Sequence, residues 1–354
     1  MEAAEPKPTV EPADPEPAAE QSPTVEPANR ESAATTLPPA TRPTVVRRRT
    51  RLARGPLTIG EPAPAVDTRL AAAEPYRPDT VADGGDAFGL TIRAASVRGL
   101  YKRYAGGPRQ DDLCLGVHPA TRTVIVAAAD GVSAAARSDL GAALAVRHAA
   151  AAVARQLERD VLDLDWSEVF RHAAWALVEE HRRTSGDPDA GVEQAGACLA
   201  TTLIVAAISA TDPCAPDQDG GANREESEPA GCRVQVAAVG DSPAFVLAEG
   251  GFEPLVGETA CGDGLLGGGV RALPRDARPV GETGCTLAPG SALLICTDGL
   301  ALPLADGSGD VGRTLARELS RPPDIVDFAR LLDFSRATYD DDRTLIAVWH
   351  QRQH

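Results

Sequence analysis

The stretch TVIVAAADGVSAAARSDLGA, Thr123 to Ala142, runs seven small or β-branched residues into an acid and a glycine. A continuous run of this kind that ends at Asp-Gly reads as a strand covered on both faces, so the chain must have layers on either side of it. Short segments of the same type recur at Leu90–Ser96, Asp112–His118, Cys198–Ser209, Cys232–Val239, Ala244–Ala248, Ala292–Cys296 and Thr344–Trp349. Helical spacing marks Arg137–Asp160 and Ser167–Thr184, the second with Asp165 or Ser167 as N-cap, and shorter helices at Val311–Leu319 and Ile325–Ala337. Most strands come in neighbouring hairpin-like pairs and the two long helices are consecutive. That order favours an α+β sheet sandwich with helices outside it over a regular βαβ winding.

The folded part begins near residue 87 and runs to about 350. Before it, residues 1–86 are rich in Pro, Ala, Glu and Thr, and PTVEPA occurs twice, at Pro8–Ala13 and Pro23–Ala28. Such composition buries too little apolar surface to offset ordering entropy, so a disordered tail is expected. Residues 1–40 carry eight acids, and residues 41–54 then bring six arginines in TRPTVVRRRTRLAR. This patch reads either as a docking site for an acidic partner or as a solvated run that folds back on the acidic stretch. A second interruption, at about 210–231, is polar and rich in Gly and Pro and reads as a disordered hairpin loop.

The net charge of −16 argues against nucleic-acid binding by the folded body, which would need clustered Lys and Arg. The N-terminus lacks the basic start and apolar core of a signal peptide, and no run is long and apolar enough to span a bilayer. Seven scattered cysteines form no zinc-type pairs and read as reduced thiols of a cytoplasmic protein. No Ser or Cys sits in a nucleophile-elbow pattern, and the glycines of GDGLLGGGV do not pass from a strand into a helix as dinucleotide motifs do.

Aspartates stand at strand ends in five places. They are Asp130 in AAADGVS, Asp241 in AVGDSPA, Asp298 in ICTDGLA, Asp341 in YDDDRTL, and Asp111 in RQDDLCL. Each alone is ordinary turn chemistry. Together, on strands that end at one rim, they would repel one another by roughly 4 kcal/mol per close pair, which calls for cations. All-oxygen ligands without His or Cys suit Mg²⁺ or Mn²⁺, and two such ions close together suit phosphate ester hydrolysis.

In this order and spacing the motifs RQDD, AADGVS, GACLATTLIVAAI, VAAVGDSPAFVL, LLICTDGL and DDDRTLIAV resemble the PPM metal-dependent protein phosphatases, the type 2C Ser/Thr phosphatase family, over roughly Ala87 to Trp349. The Ala- and Arg-rich composition and Val132 after Asp-Gly point to a member of bacterial type. The resemblance implies a two-sheet antiparallel β-sandwich flanked by helical pairs, with two or three Mg²⁺ or Mn²⁺ ions at one end. It implies that Asp130 bridges both metals, with the Gly131 carbonyl as a ligand of one. Asp298 and Asp341 then complete the first metal, Asp111 stands near the second, and Asp241 supports a third. Thr201 and Thr202 match a structural Thr pair, and Glu253 to Val280 lies at the family's flap, with Asp263 as its acid. The implied reaction is dephosphorylation of phosphoserine or phosphothreonine in a phosphoprotein, by a water that two metals activate. The natural setting is a Ser/Thr kinase pathway, and the expected state is a monomer. Two departures stand out: Gly106 occupies the place of the family's phosphate-holding Arg, which leaves Arg109 or Arg103 to substitute, and Asp342 replaces an Asn. The alternative is a pseudophosphatase that binds phosphoproteins or acts as a scaffold.

Overall fold

Thr123–Ala129 forms a strand, β5, in which every residue is buried, as its composition requires. In the computed structural model, which describes residues 57–71, 76–159, 163–210, 231–257, 270–304, 307 and 309–351, this strand alternates cleanly between two cores. Val124, Val126 and Ala128 face a second sheet, while Ile125, Ala127 and Ala129 face helices. The described residues belong to one unit, Arg54–His354.

The sheet of β5 has five strands in the order β10-β7-β6-β5-β4, with β4 at Asp112–His118, β6 at Leu203–Ala210, β7 at Cys232–Val239 and β10 at Gly281–Leu287. All its neighbours are antiparallel. The other sheet has six strands, all antiparallel, in the order β2-β3-β13-β11-β8-β9. These are β2 at Thr80–Ala87, β3 at Leu90–Val97, β8 at Ala244–Ala248, β9 at Gly251–Val256, β11 at Ala292–Cys296 and β13 at Arg343–His350. Ile92, Leu293, Ile295, Ile346 and Val348 of this sheet meet Val124, Val126, Ile204 and Ile208 of the first, so the two sheets form a sandwich.

Helices cover both outer faces. α2 (Ser138–Glu158) and α3 (Trp166–Ser185) bury Val146, Val153, Phe170 and Leu177 against β5 and β6, with α4 (Val192–Leu199) beside them. On the other side α5 (Asp298–Leu304), α6 (Asp310–Glu318) and α7 (Ile325–Leu332) bury Leu300, Leu315 and Phe328 against β11 and β13. Asp165 caps α3 by accepting the Glu168 N–H at 3.0 Å. A short helix, α1 (Leu100–Ala105), links β3 to β4, and the pair β1 (Leu57–Thr58) and β12 (Phe334–Ser335) is parallel. The α+β sandwich expected from the sequence is therefore present. No described helix is long and apolar enough to cross a membrane, and the five described cysteines are free.

Three expectations need correction. The tail does not extend to residue 86, because β1 and most of β2 lie before that point, and β2 pairs along its whole length with β3. TVADGGDA is an edge strand, exposed on much of both faces, so it lacks the apolar alternation of a half-buried strand. Cys198–Ser209 is not one strand: α4 ends at Leu199 and β6 starts at Leu203, with Thr201 and Thr202 between them. The last helix stops at Leu332, since Phe334 turns to pair with Leu57. The expectations for residues 1–56, for the loop at 211–230 and for Asp263 lie outside the described residues.

Candidate active site

Asp130 leaves β5 with its backbone clamped from the side. The hydroxyl of Thr201 and the N–H of Thr202 both donate to the Asp130 carbonyl at 2.8 Å, and the Asp130 N–H donates to the Thr202 hydroxyl at 3.0 Å. The Thr pair thus has the structural part expected of it. Thr201 in turn exchanges backbone hydrogen bonds with Leu273, so the chain just after residues 258–269 is stitched beside Asp130.

The other acids arrive from both sheets. Asp111 precedes β4, Asp298 follows β11, Asp341 and Asp342 precede β13, and Asp241 follows β7. Burial and the carboxylates of Asp111, Asp298 and Asp341 hold the Asp130 carboxyl well above its ordinary pKa. Partial burial and Asp298 also raise Asp241. Asp111, Asp130, Asp241, Asp298 and Asp341 therefore share one electrostatic neighbourhood.

Beneath them lies a buried polar layer. Asp111 is 1% exposed, and one of its oxygens accepts from the hydroxyls of Thr297 at 2.8 Å and Thr344 at 2.7 Å. Burial and the nearby Asp342 push its pKa up to about 7, against the pull of Lys102 and the two threonines. Thr297 precedes Asp298 and Thr344 follows Asp342 by two, so Asp111 ties together the segments that carry the other acids.

Crowded carboxylates are held together by shared protons or by cations. The donor set here is all oxygen, negatively charged and partly buried, which fits hard divalent ions such as Mg²⁺ or Mn²⁺. Among the described residues no three carboxylate, imidazole or thiolate groups stand as a closed metal site, so the acids are gathered without being wrapped around one point.

The arginines expected at the phosphate are engaged elsewhere. Arg109 is 1% exposed, and its guanidinium donates to Ser96 Oγ at 2.7 Å and to the carbonyls of Asp111 and Pro78. Arg103 donates twice to Asp79, at 2.7 and 3.0 Å, and once to Asp333 at 2.7 Å. Each guanidinium spends three of its five N–H groups on its own neighbours, so neither presents the wholly free fork that phosphate recognition uses. Sequence reasoning missed the cation that does enter the cluster, Lys102, whose ammonium donates to Asp341 at 2.8 Å and Asp342 at 2.9 Å. Burial works against its charge, but Asp342 and Asp341 outweigh burial and raise its pKa.

Glycine is needed where these segments cross. A Cβ on Gly299 would stand 2.0 Å from the Asp342 carbonyl oxygen. Gly299→Ala must therefore push the start of α5 away from β13, separating Asp298 from Asp341. The expected result is a loss of about 1–3 kcal/mol of stability in urea unfolding, as for other overpacked sites.

Residues 98–216 match the family model described as protein phosphatase 2C. The matched residues include Asp111, Asp130 and the Thr pair, and the resemblance read from the motifs is borne out there. Solved structures that match the chain include the serine/threonine phosphatase PstP/Ppp of Mycobacterium tuberculosis, 15% identical with a TM-score of 0.44, the match covering 74% of this chain and 99% of that one. The catalytic domain of PstP in complex with two manganese ions is 18% identical with a TM-score of 0.44, over 73% of this chain and 97% of that one. The PPM Ser-Thr phosphatase MsPP of Mycobacterium smegmatis, in complex with cacodylate, is 19% identical with a TM-score of 0.42, over 76% and 96%. No curated protein matches the sequence.

Proposed function

We propose that this protein is a Mg²⁺- or Mn²⁺-dependent phosphoprotein phosphatase that hydrolyses phosphoserine and phosphothreonine. The observation that carries this reading is that Asp111, Asp130, Asp298 and Asp341 stand at strand ends of both sheets, with the other three near enough to raise the Asp130 pKa. Asp130, the Gly131 carbonyl, Asp298 and Asp341 would hold two ions, with Asp111 near the second and Asp241 near a third. When bound, such ions make water a nucleophile near neutral pH and offset charge on the phosphoryl oxygens.

The protein's own contribution is placement. The Thr201 and Thr202 clamp fixes the Asp130 backbone, and Thr297 and Thr344 fix Asp111. The acids stand on the ends of rigid strands, which holds them more accurately than a loop would. No Ser or Cys nucleophile is needed, because the attacking group is water. The substrate is a phosphoprotein of a Ser/Thr kinase pathway in the cytoplasm, the arginines at 41–54 suit an acidic partner, and the enzyme acts as a monomer.

The engagement of Arg103 by Asp79 and of Arg109 by Ser96 favours a second reading, a pseudophosphatase that binds phosphoproteins without turning them over. Manganese-dependent hydrolysis of p-nitrophenyl phosphate and of a phosphothreonine peptide decides between them. Turnover that rises with Mn²⁺ and vanishes with chelator is the expected outcome. A chain that binds the peptide but turns over neither substrate is the pseudophosphatase.

A further inference from the structure

The chain contains 33 arginines and only two lysines, Lys7 and Lys102. Lys102 is 8% exposed and sits on α1, whose position is set by the acid cluster itself. The Tyr101 N–H donates to the Asp340 carbonyl at 3.1 Å, and Arg98 donates to the Lys102 carbonyl at 2.6 Å. A Cβ on Gly99 would stand 2.3 Å from the Asp341 carbonyl carbon, so α1 starts directly on the Asp341 backbone. The ammonium is thus delivered to Asp341 and Asp342 by a fixed helix and not by a mobile surface side chain.

The two acids that receive it differ. Asp342 is buried, and its carboxylate also accepts the N–H groups of Gly99 and Gln110, both at 2.6 Å. The Asp341 side chain is 51% exposed, and the oxygen that Lys102 contacts also accepts the Asp342 N–H at 2.8 Å. One oxygen of Asp341 is therefore engaged twice by the protein, and only the other remains for an incoming ion.

We infer that Lys102 is a resident cation of the acid cluster, which positions Asp341 and competes with a divalent ion for its carboxylate. This rests on the reading of the acids as a metal site and adds to it a residue that sets the affinity of that site. A positive charge less than 3 Å from a ligand oxygen repels a second cation strongly in a partly buried setting.

Calorimetric titration of the full chain with MnCl₂ tests this without any phosphate ester. Lys102→Met and Lys102→Gln should bind Mn²⁺ at least about five-fold more tightly than the wild type, and Lys102→Arg should stay within about two-fold of it. Equal or weaker Mn²⁺ binding by the Met and Gln variants overturns the inference, as does absence of Mn²⁺ binding by the wild type and every variant. Because loss of Lys102 leaves Asp342 buried without its cation, a second measurement uses the wild type alone. Limited acetylation, read by peptide mass spectrometry, compares Lys102 with Lys7 as internal reference. Saturating Mn²⁺ should raise the Lys102 to Lys7 ratio about three-fold or more by loosening the ammonium from Asp341. An unchanged or lowered ratio overturns the inference. Missing turnover of p-nitrophenyl phosphate by the wild type would remove the phosphatase reading and leave this result standing.

Discussion

Asp130→Asn reduces manganese-dependent turnover by at least about a thousand-fold, equivalent to roughly 4 kcal/mol of transition-state stabilisation, while the protein stays folded. The two halves of this outcome have separate causes. Asn keeps the size of the side chain, and the Asp130 backbone is held by Thr201 and Thr202 through main-chain atoms that the substitution does not touch. What is lost is the negative charge placed among Asp111, Asp298 and Asp341. In the ion-free protein that charge is a liability, since burial and three neighbouring carboxylates disfavour it. The variant should therefore melt at the same temperature as the wild type or higher at pH 8 with chelator present, and gain less from added Mn²⁺. Activity assays and thermal melts with and without Mn²⁺ check both halves. If the Asn variant retains full turnover, Asp130 is a turn residue and the site assignment fails.

Asp342→Ala has the opposite signature, with the damage in the fold. Asp342 is 2% exposed and its two oxygens accept from Gly99 N–H, Gln110 N–H and the Lys102 ammonium. Truncation leaves two buried N–H donors without partners and removes one of the two acids that face a buried ammonium. Breaking a buried ion pair from one side costs about 3–5 kcal/mol. For a domain of this size that corresponds to a fall in melting temperature on the order of 10 °C. Asp342→Asn should fall between, because one amide oxygen can still accept from a backbone N–H. A fall of under about 2 °C for the Ala variant would mean that Lys102 and the loop are held by other contacts.

The strand skeleton was legible because burial leaves a mark in sequence. Val124–Ala129 and Ala292–Cys296 are apolar throughout since both of their faces are covered. The acids were legible because each breaks such a strand at its end. What escaped had no such contrast. TVADGGDA pairs as an edge strand through its backbone, and its side chains report little of that pairing. The apolar run from Cys198 to Ser209 hides the passage from α4 to β6, since a buried helix end and a buried strand have the same composition. Arg109 read as a free cation near the acids, because sequence gives a guanidinium's charge but not the Ser96 hydroxyl and backbone carbonyls that enclose it. Lys102 did leave a trace, as one of two lysines in an arginine-rich chain, but only its position on α1 gives that rarity a meaning.

The ordered segment before residue 87 also decides where this protein can be shortened. Cutting at the compositional boundary would remove β2, the Asp79 carboxylate that neutralises Arg103, the Arg77 guanidinium 2.9 Å from Asp112, and the Pro78 carbonyl that receives Arg109. Three arginine-centred contacts would be opened at once beside the acids, and the six-stranded sheet would acquire β3 as a raw, apolar edge able to recruit a strand from another molecule. A chain starting at Leu57 keeps all of these closures together with the β1–β12 pair. For this protein the safe trimming point is set by the β1–β12 pair, some thirty residues before the hydrophobic pattern begins, and the arginine contacts at residues 77–79 lie inside it.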